Sequence, residues 1–351
     1  MHLALIKTGA LGDVVRTTAL IPGLLRLDPQ TRLTWITAPG ALDLVRYHPH
    51  ITHAVSIDDP PDAPWRHDAY DWVISLDDGP QECRLASSLA ASGARLSGAH
   101  EAPDGQLLYT RDVEPWFGMG ILRPAEQGGL ATANALKAQN TKSVATLLYE
   151  CLGLPGPVGH TLIAVPEAES HAAAQWLDSA GLLHRRPLVG LNTGAGGRWR
   201  LKSWGEDQSA DLARQLLENS SASAVVVLGG PSEQERNARI LAQANHPAVI
   251  SAPTNLSLLA FTALLGRLDL LVSSDSLALH LAVSQNVPVV SFFGPTSAPE
   301  IELYNQGEKV VTPLECRCCY LKDCDIRPHC MQSIDVHAML SATLRWLTAT
   351  S

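Results

Sequence analysis

The sequence has no apolar run of membrane-spanning length. Its most apolar later stretch, residues 256–272, is broken by Arg267 and Asp269, well short of the roughly 20 clean residues that a span requires. The opening run His2-Leu3-Ala4-Leu5-Ile6-Lys7 lacks the longer apolar core and small-residue cleavage site of a signal peptide. The expectation is a soluble cytoplasmic protein. An excess of basic charge is also missing. The net charge is −9, with 12 basic against 17 acidic side chains in residues 1–165 and 14 against 18 in the rest. Neither half carries the electrostatic footprint of a nucleic-acid binder. There is no short-period repeat, coiled coil or low-complexity tract. The Gly-x-Gly-x-x-Gly spacing and the Walker lysine pattern are absent from the first loop, which argues against a dinucleotide or P-loop site there. Cysteine is scarce apart from one cluster: five of the seven lie between Cys316 and Cys330, while Cys83 and Cys151 stand alone.

What is present describes a globular chain. Apolar residues make up 46% and charged residues 17% of 351 residues, enough to bury sizeable cores and too long for one ordinary domain. Short apolar or β-branched runs at 3–7, 33–37, 54–57 and 72–76 alternate with helical patterns at 14–27 and 81–92. That is the signature of parallel strands joined by crossover helices. The stretch 41–78, rich in His, Asp and Pro, reads as surface loop between strands. Residues 151–160, Cys-Leu-Gly-Leu-Pro-Gly-Pro-Val-Gly-His, have no periodicity and read as a linker. The alternation then restarts, with strands expected at 188–192, 224–228, 270–273 and 287–292. The predicted organisation is a Rossmann-like domain at 1–155, a second at 160–335 and a C-terminal helix at 336–351. Two such sheets in tandem imply a cleft, with ligands beyond the carboxyl ends of the strands.

Four strand-end loops carry chemistry. The first is Lys7-Thr8-Gly9-Ala10-Leu11-Gly12-Asp13, where two glycines let the backbone approach a ligand and Asp13 stands where a helix begins. Asp is a common N-cap, so Asp13 reads either as a cap or as a carboxylate facing the cleft. The second loop runs from Asn192 and Thr193 through Gly194, Ala195, Gly196, Gly197, Arg198, Trp199, Arg200 and Leu201 to Lys202, Ser203 and Trp204. Its glycines, hydroxyl and cations suit an anion, although a basic loop can also bind nothing. In the third, Gly229-Gly230-Pro231-Ser232-Glu233, the carboxylate could accept ribose hydroxyls or simply answer a helix dipole. The fourth, Ser273-Ser274-Asp275-Ser276-Leu277-Ala278-Leu279-His280, opens a helix whose amides could receive phosphate, with Asp275 or Ser276 as cap. Taken singly, His280 reads more readily as a packed histidine than as a ligand.

In this order, and followed by Val287-Pro288-Val289-Val290 and Phe293-Gly294-Pro295-Thr296, these loops resemble the ordered motifs of the ADP-heptose:lipopolysaccharide heptosyltransferases over nearly the whole chain. The resemblance implies a GT-B fold, ADP-L-glycero-β-D-manno-heptose as donor, a lipid-linked or core oligosaccharide acceptor, and inverting transfer without a catalytic metal. It implies at most peripheral contact with the inner face of a membrane. Asp13 matches the general base, with Thr8, Gly9, Ala10, Leu11 and Gly12 forming the acceptor-side loop. Thr193, Gly194, Lys202, Asp275, Ser276, Leu277 and His280 match the donor-phosphate site, and Glu233 matches the ribose acid. The sequence departs from the family in two places: Leu277 stands where Gly is usual after Asp-Ser, and Gly205 where Pro commonly follows the Lys-x-Trp element. A sugar-nucleotide epimerase is the alternative enzyme class, and an inactive nucleotide-sugar binder the non-enzymatic one.

The cysteine cluster calls for a cross-link or a metal. Cys316 and Cys319 have the two-residue gap of a metal knuckle, and Cys324 and Cys330 complete a looser set of four, leaving Cys318 spare. Structural zinc is expected ahead of iron–sulfur, with disulfides and free thiols as the alternatives.

Overall fold

The computed structural model describes residues 1–196, 200–219, 222–321 and 323–349. The loop residues Gly197, Arg198 and Trp199 lie outside the described residues. The chain divides into two units, Met1–Ala164 and Val165–Ser351.

The first unit holds a six-stranded sheet in the order β3-β2-β1-β4-β5-β6. Its strands are β1 His2–Ile6, β2 Arg32–Thr37, β3 His53–Ser56, β4 Trp72–Ser75, β5 Arg95–Glu101 and β6 Leu107–Tyr109. All pairings are parallel except the last, where β6 runs antiparallel to β5. The second unit repeats the plan as β12-β11-β10-β7-β8-β9, all parallel. Here the strands are β7 Leu188–Asn192, β8 Ala224–Leu228, β9 Val249–Ser251, β10 Leu270–Ser274, β11 Val289–Phe293 and β12 Gly307–Val311. Strands β7, β8, β10 and β11 are buried along their whole length. They read as continuous apolar runs because helices cover both faces of a parallel sheet.

Strand order reverses between β1 and β4 in the first unit and between β7 and β10 in the second. The loops that leave adjacent strands at such a point diverge to opposite faces and open a crevice. The Lys7–Ala10 and Leu76–Gly79 segments flank the first crevice. The loops after Asn192 and Ser274 flank the second.

The expected helix at 14–27 is three pieces: Leu11–Thr17, a 3₁₀ turn Thr18–Leu20, and Ile21–Leu27. Thr17 and Thr18 return their hydroxyls to the carbonyls of Asp13 and Val15, at 2.7 Å each. Such back-bonding bends helices, and Pro22 starts the third piece afresh. The expected linker begins too early. Cys151 is buried in the helix Val144–Leu152, whose amphipathic face packs inward, and the helix stops at Gly153 with φ 66°. The C-terminal helix is Val336–Ala349. Met339, Leu340, Ala342 and Leu347 join the core of the second unit with Val189, Leu191 and Trp204. No described helix is long and apolar enough to cross a membrane.

Candidate active site

In the first unit Asp13 is the third residue of its helix. The N-cap position is Ala10, and no side chain makes a capping bond there. This corrects the reading of Asp13 as a cap. Its Oδ1 accepts from the Arg16 guanidinium at 2.8 Å, and Arg16 lies over the Trp116 ring, 6.0 Å from the centroid. The carboxylate thus makes an ion pair and no helix cap.

The loop before Asp13 is tied down by a residue from the neighbouring strand end. Asp77 accepts from Lys7 Nζ, from the amides of Thr8 and Gly9, and from Thr8 Oγ1. The Thr8 hydroxyl lies 2.7 Å from Glu82 Oε1 as well. Asp78 is half-buried, and its carboxyl is held above the usual carboxylate range by burial first and then by the charges of Asp77 and Glu82. Nothing local in the sequence marks Asp77. The only signal was that β1 and β4 flank a switch point, which places residue 77 beside residues 7–9.

In the second unit the two crevice loops bond to each other. The Asn192 amide donates to Gly194 O at 2.8 Å, Ser273 Oγ at 3.0 Å and Ser276 Oγ at 3.1 Å. Lys202 Nζ donates to Asp275 Oδ2 at 3.1 Å, and His280 Nε2 stands 3.8 Å from Asp275 Oδ1. Lys202 is placed by Trp204, a core residue whose indole donates to Ile334 O at 3.2 Å and packs against Phe292. Gly205 fills the N-cap of Glu206–Glu218, so the missing proline leaves the helix start intact. Ser276 occupies the N-cap of the helix Leu277–Ser284 and makes no capping bond. The expectation that it caps is therefore not met, and the first-turn amides have no intrahelical partner.

A cavity of ≈ 310 Å³ opens at these strand ends. Its lining includes Asn192, Gly194, Glu233, Ser276 and Leu277 together with the apolar Pro253, Leu256 and Phe261. A volume of this size with apolar lining and a few convergent polar groups is what a small-molecule site requires. These apolar residues escaped sequence reading because they belong to the loop after β9, a three-residue strand, and to the helix Leu258–Leu265 that follows it. Glu233 accepts from the Gly230 amide at 2.8 Å and from Ser232 Oγ at 2.9 Å. It is thus both a cap and a lining carboxylate, since a carboxylate accepts about four hydrogen bonds.

Thr193 lies differently from the expectation. Its hydroxyl faces Leu228 O at 3.1 Å and Asn237 Oδ1 at 2.5 Å, buried within the unit. It braces the loop from behind, and Gly194 and Asn192 supply the lining. Lys202 and His280 both approach Asp275, the residue before the lining Ser276.

None of the seven cysteines is in a disulfide. Cys316 and Cys319 are exposed, Cys318 and Cys324 half-buried, and Cys330 buried. The Cys330 thiol is pushed up to about 11, by burial first and then by Cys319, Cys316 and Cys324. Of the four residues singled out from spacing, Cys316, Cys319 and Cys324 therefore lie within electrostatic reach of the fourth, Cys330. As placed they do not form a ligand set: among the described residues no group of three or more His, Cys, Asp or Glu could hold a metal ion.

Residues 132–329 match the sequence profile of glycosyltransferase family 9 (heptosyltransferase). Lipopolysaccharide heptosyltransferase 1 of Pseudomonas aeruginosa is 24% identical over 336 residues, spanning 93% of this chain and 88% of the relative. The crystal structure of a family 9 glycosyl transferase from Veillonella parvula superposes with a TM-score of 0.77 at 19% identity, over 99% of this chain and 97% of that one. E. coli ADP-heptose lps heptosyltransferase II does so at 0.68 and 18% identity, over 99% of each chain. The two parallel-sheet units are the GT-B fold, and the chain belongs to glycosyltransferase family 9.

Proposed function

We propose that this glycosyltransferase moves a heptose from ADP-L-glycero-β-D-manno-heptose to a lipopolysaccharide core or related lipid-linked glycan, with inversion at the anomeric carbon. The observation that carries the reading is the cavity at the β7–β10 switch point. It combines apolar lining, a carboxylate at Glu233 and an uncapped helix start at Ser276-Leu277. Those are the groups that a nucleoside diphosphate needs for its base, ribose and phosphates. In this reading the first unit serves the acceptor, through the loop Thr8–Gly12, and the second serves the donor. Contact with the membrane is at most peripheral in this reading.

In the transfer, an acceptor oxygen bonds to C1 of the heptose as the bond from C1 to the ADP oxygen breaks. The acceptor proton passes to Asp13. The charge that grows on the departing diphosphate is met by Lys202 and the amides that open Leu277–Ser284, and no catalytic metal is invoked. Leu277 contributes its amide while its side chain narrows the cavity. The protein should leave ADP-heptose unchanged on its own and, given a heptose-free lipid A core acceptor, add one heptose and release ADP, as read by mass spectrometry. Isomerised donor, or binding with no transfer, would contradict the reading.

The same reading includes a structural metal, zinc ahead of iron–sulfur, drawing together Cys316, Cys319, Cys324 and Cys330 and pinning the segment between β12 and the helix Val336–Ala349. Its support is the clustering of the cysteines in the chain and the electrostatic reach of Cys316, Cys319 and Cys324 to Cys330. Elemental analysis of protein purified without chelator should find roughly one metal ion per chain, as tetrahedral sites hold. No metal together with seven titratable thiols under denaturing conditions rejects the site.

A further inference from the structure

Strand β11 lies beside β10, Phe292 opposite Ser274 in the register, so the loop that leaves β11 runs next to the Asp275–Ser276 crevice loop. Residues 294–297 of that loop are held from both sides. A Cβ at Gly294 would come within 2.6 Å of Cys330 Sγ and 2.8 Å of Met331 Sδ, so only glycine lets the backbone pass there. The amides of Cys318 and Tyr320 donate to Gly294 O at 3.1 Å and Pro295 O at 2.9 Å. The Tyr320 hydroxyl accepts from the Ser297 amide at 3.2 Å and donates to Glu300 Oε2 at 3.1 Å. Asp275 lies within electrostatic reach of that phenol.

In the middle of this braced segment is Thr296. It is 5% exposed, and its hydroxyl has no hydrogen-bond partner among the described residues. Burying a hydroxyl without a partner is costly, and buried polar groups in folded proteins are nearly always paired. Thr296 thus keeps an unsatisfied hydroxyl in a loop that four hydrogen bonds fix next to the Asp275–Ser276 crevice loop.

We infer that Thr296 Oγ1 hydrogen-bonds an oxygen of the bound nucleotide sugar, and that Tyr320 is the positioning residue that holds it there. This rests on the donor-site reading above. The oxygen belongs either to the diphosphate or to the sugar, and the two are separated by comparing ADP with the full donor.

The test is Thr296→Val, which keeps the branched shape and removes the hydroxyl. Calorimetric titration with ADP and steady-state kinetics with ADP-heptose should show donor affinity about three- to tenfold weaker in at least one, as the loss of one hydrogen bond gives. Acceptor KM should not change. Thermal stability should hold or rise, because an unsatisfied buried polar atom has been replaced by a methyl group. Tyr320→Phe should weaken the donor in the same arm without changing acceptor KM. A diphosphate contact moves both arms, and a sugar contact moves only the ADP-heptose arm. Unchanged donor affinity in both arms, or a lower melting temperature for Thr296→Val with no donor effect, overturns the inference. Wild-type protein that binds neither ligand overturns the donor-site reading itself, which separates the two failures.

Discussion

Asp13→Asn is expected to fold, to bind ADP as the parent does, and to lose about 10²–10⁴ of its turnover, the usual worth of a positioned base. The geometry makes this a clean substitution. Asp13 caps nothing: it stands in the first turn of Leu11–Thr17 and is held by Arg16. Asn is nearly isosteric and keeps an oxygen for the guanidinium, but it cannot take the acceptor proton. What stability it loses is the charge component of a partly exposed ion pair, about 0–1 kcal/mol. Turnover at saturating donor, alongside a melting curve and an ADP titration, checks the expectation. Near wild-type transfer by a folded Asp13→Asn would remove Asp13 from the mechanism.

Lys202→Ala should have the second largest effect, and its effect should fall on the donor. The ammonium is mostly buried, on a short 3₁₀ turn that Trp204 anchors in the core, and it pairs with Asp275 at 3.1 Å. Losing a charge-assisted hydrogen bond to phosphate costs roughly 1.5–3 kcal/mol, or about 10- to 150-fold in affinity. Removal also leaves the Asp275 carboxylate beside an incoming anion without that cation, which adds repulsion to the lost attraction. Restoring neutrality with Lys202→Ala/Asp275→Asn should therefore recover part of the ADP affinity, a non-additivity expected of residues in contact. Unchanged ADP titration by Lys202→Ala would exclude it from the phosphate site.

Most of the parallel framework was legible from sequence, for a physical reason. Strands buried on both faces must be continuously apolar, and β7 and β8 begin and end where their apolar runs do. Elements that depart from this rule were missed: β5 and β6, where an antiparallel edge leaves partly exposed residues, and the short or half-exposed β9 and β12. The loops that bear the site could be found because strand ends in such sheets are predictable. Which side chains line the cavity could not. Thr193 turns inward because Leu228 O and Asn237 meet it there. Ser276 leaves its helix uncapped because Asn192 and Ser273 engage its hydroxyl. Asp77 reaches Lys7 and Thr8 across 70 and 69 positions. Each depends on a partner far away in the chain, and no local pattern encodes it.

Whether the heptose is transferred with inversion is decided by the stereochemistry of the product. Proton NMR of the reaction between ADP-L-glycero-β-D-manno-heptose and a heptose-free core acceptor should show the β-anomeric donor signal replaced by a single new α-anomeric heptose signal, with free ADP formed in step. A β-linked product, or donor consumed with no new glycosidic signal, would contradict the account.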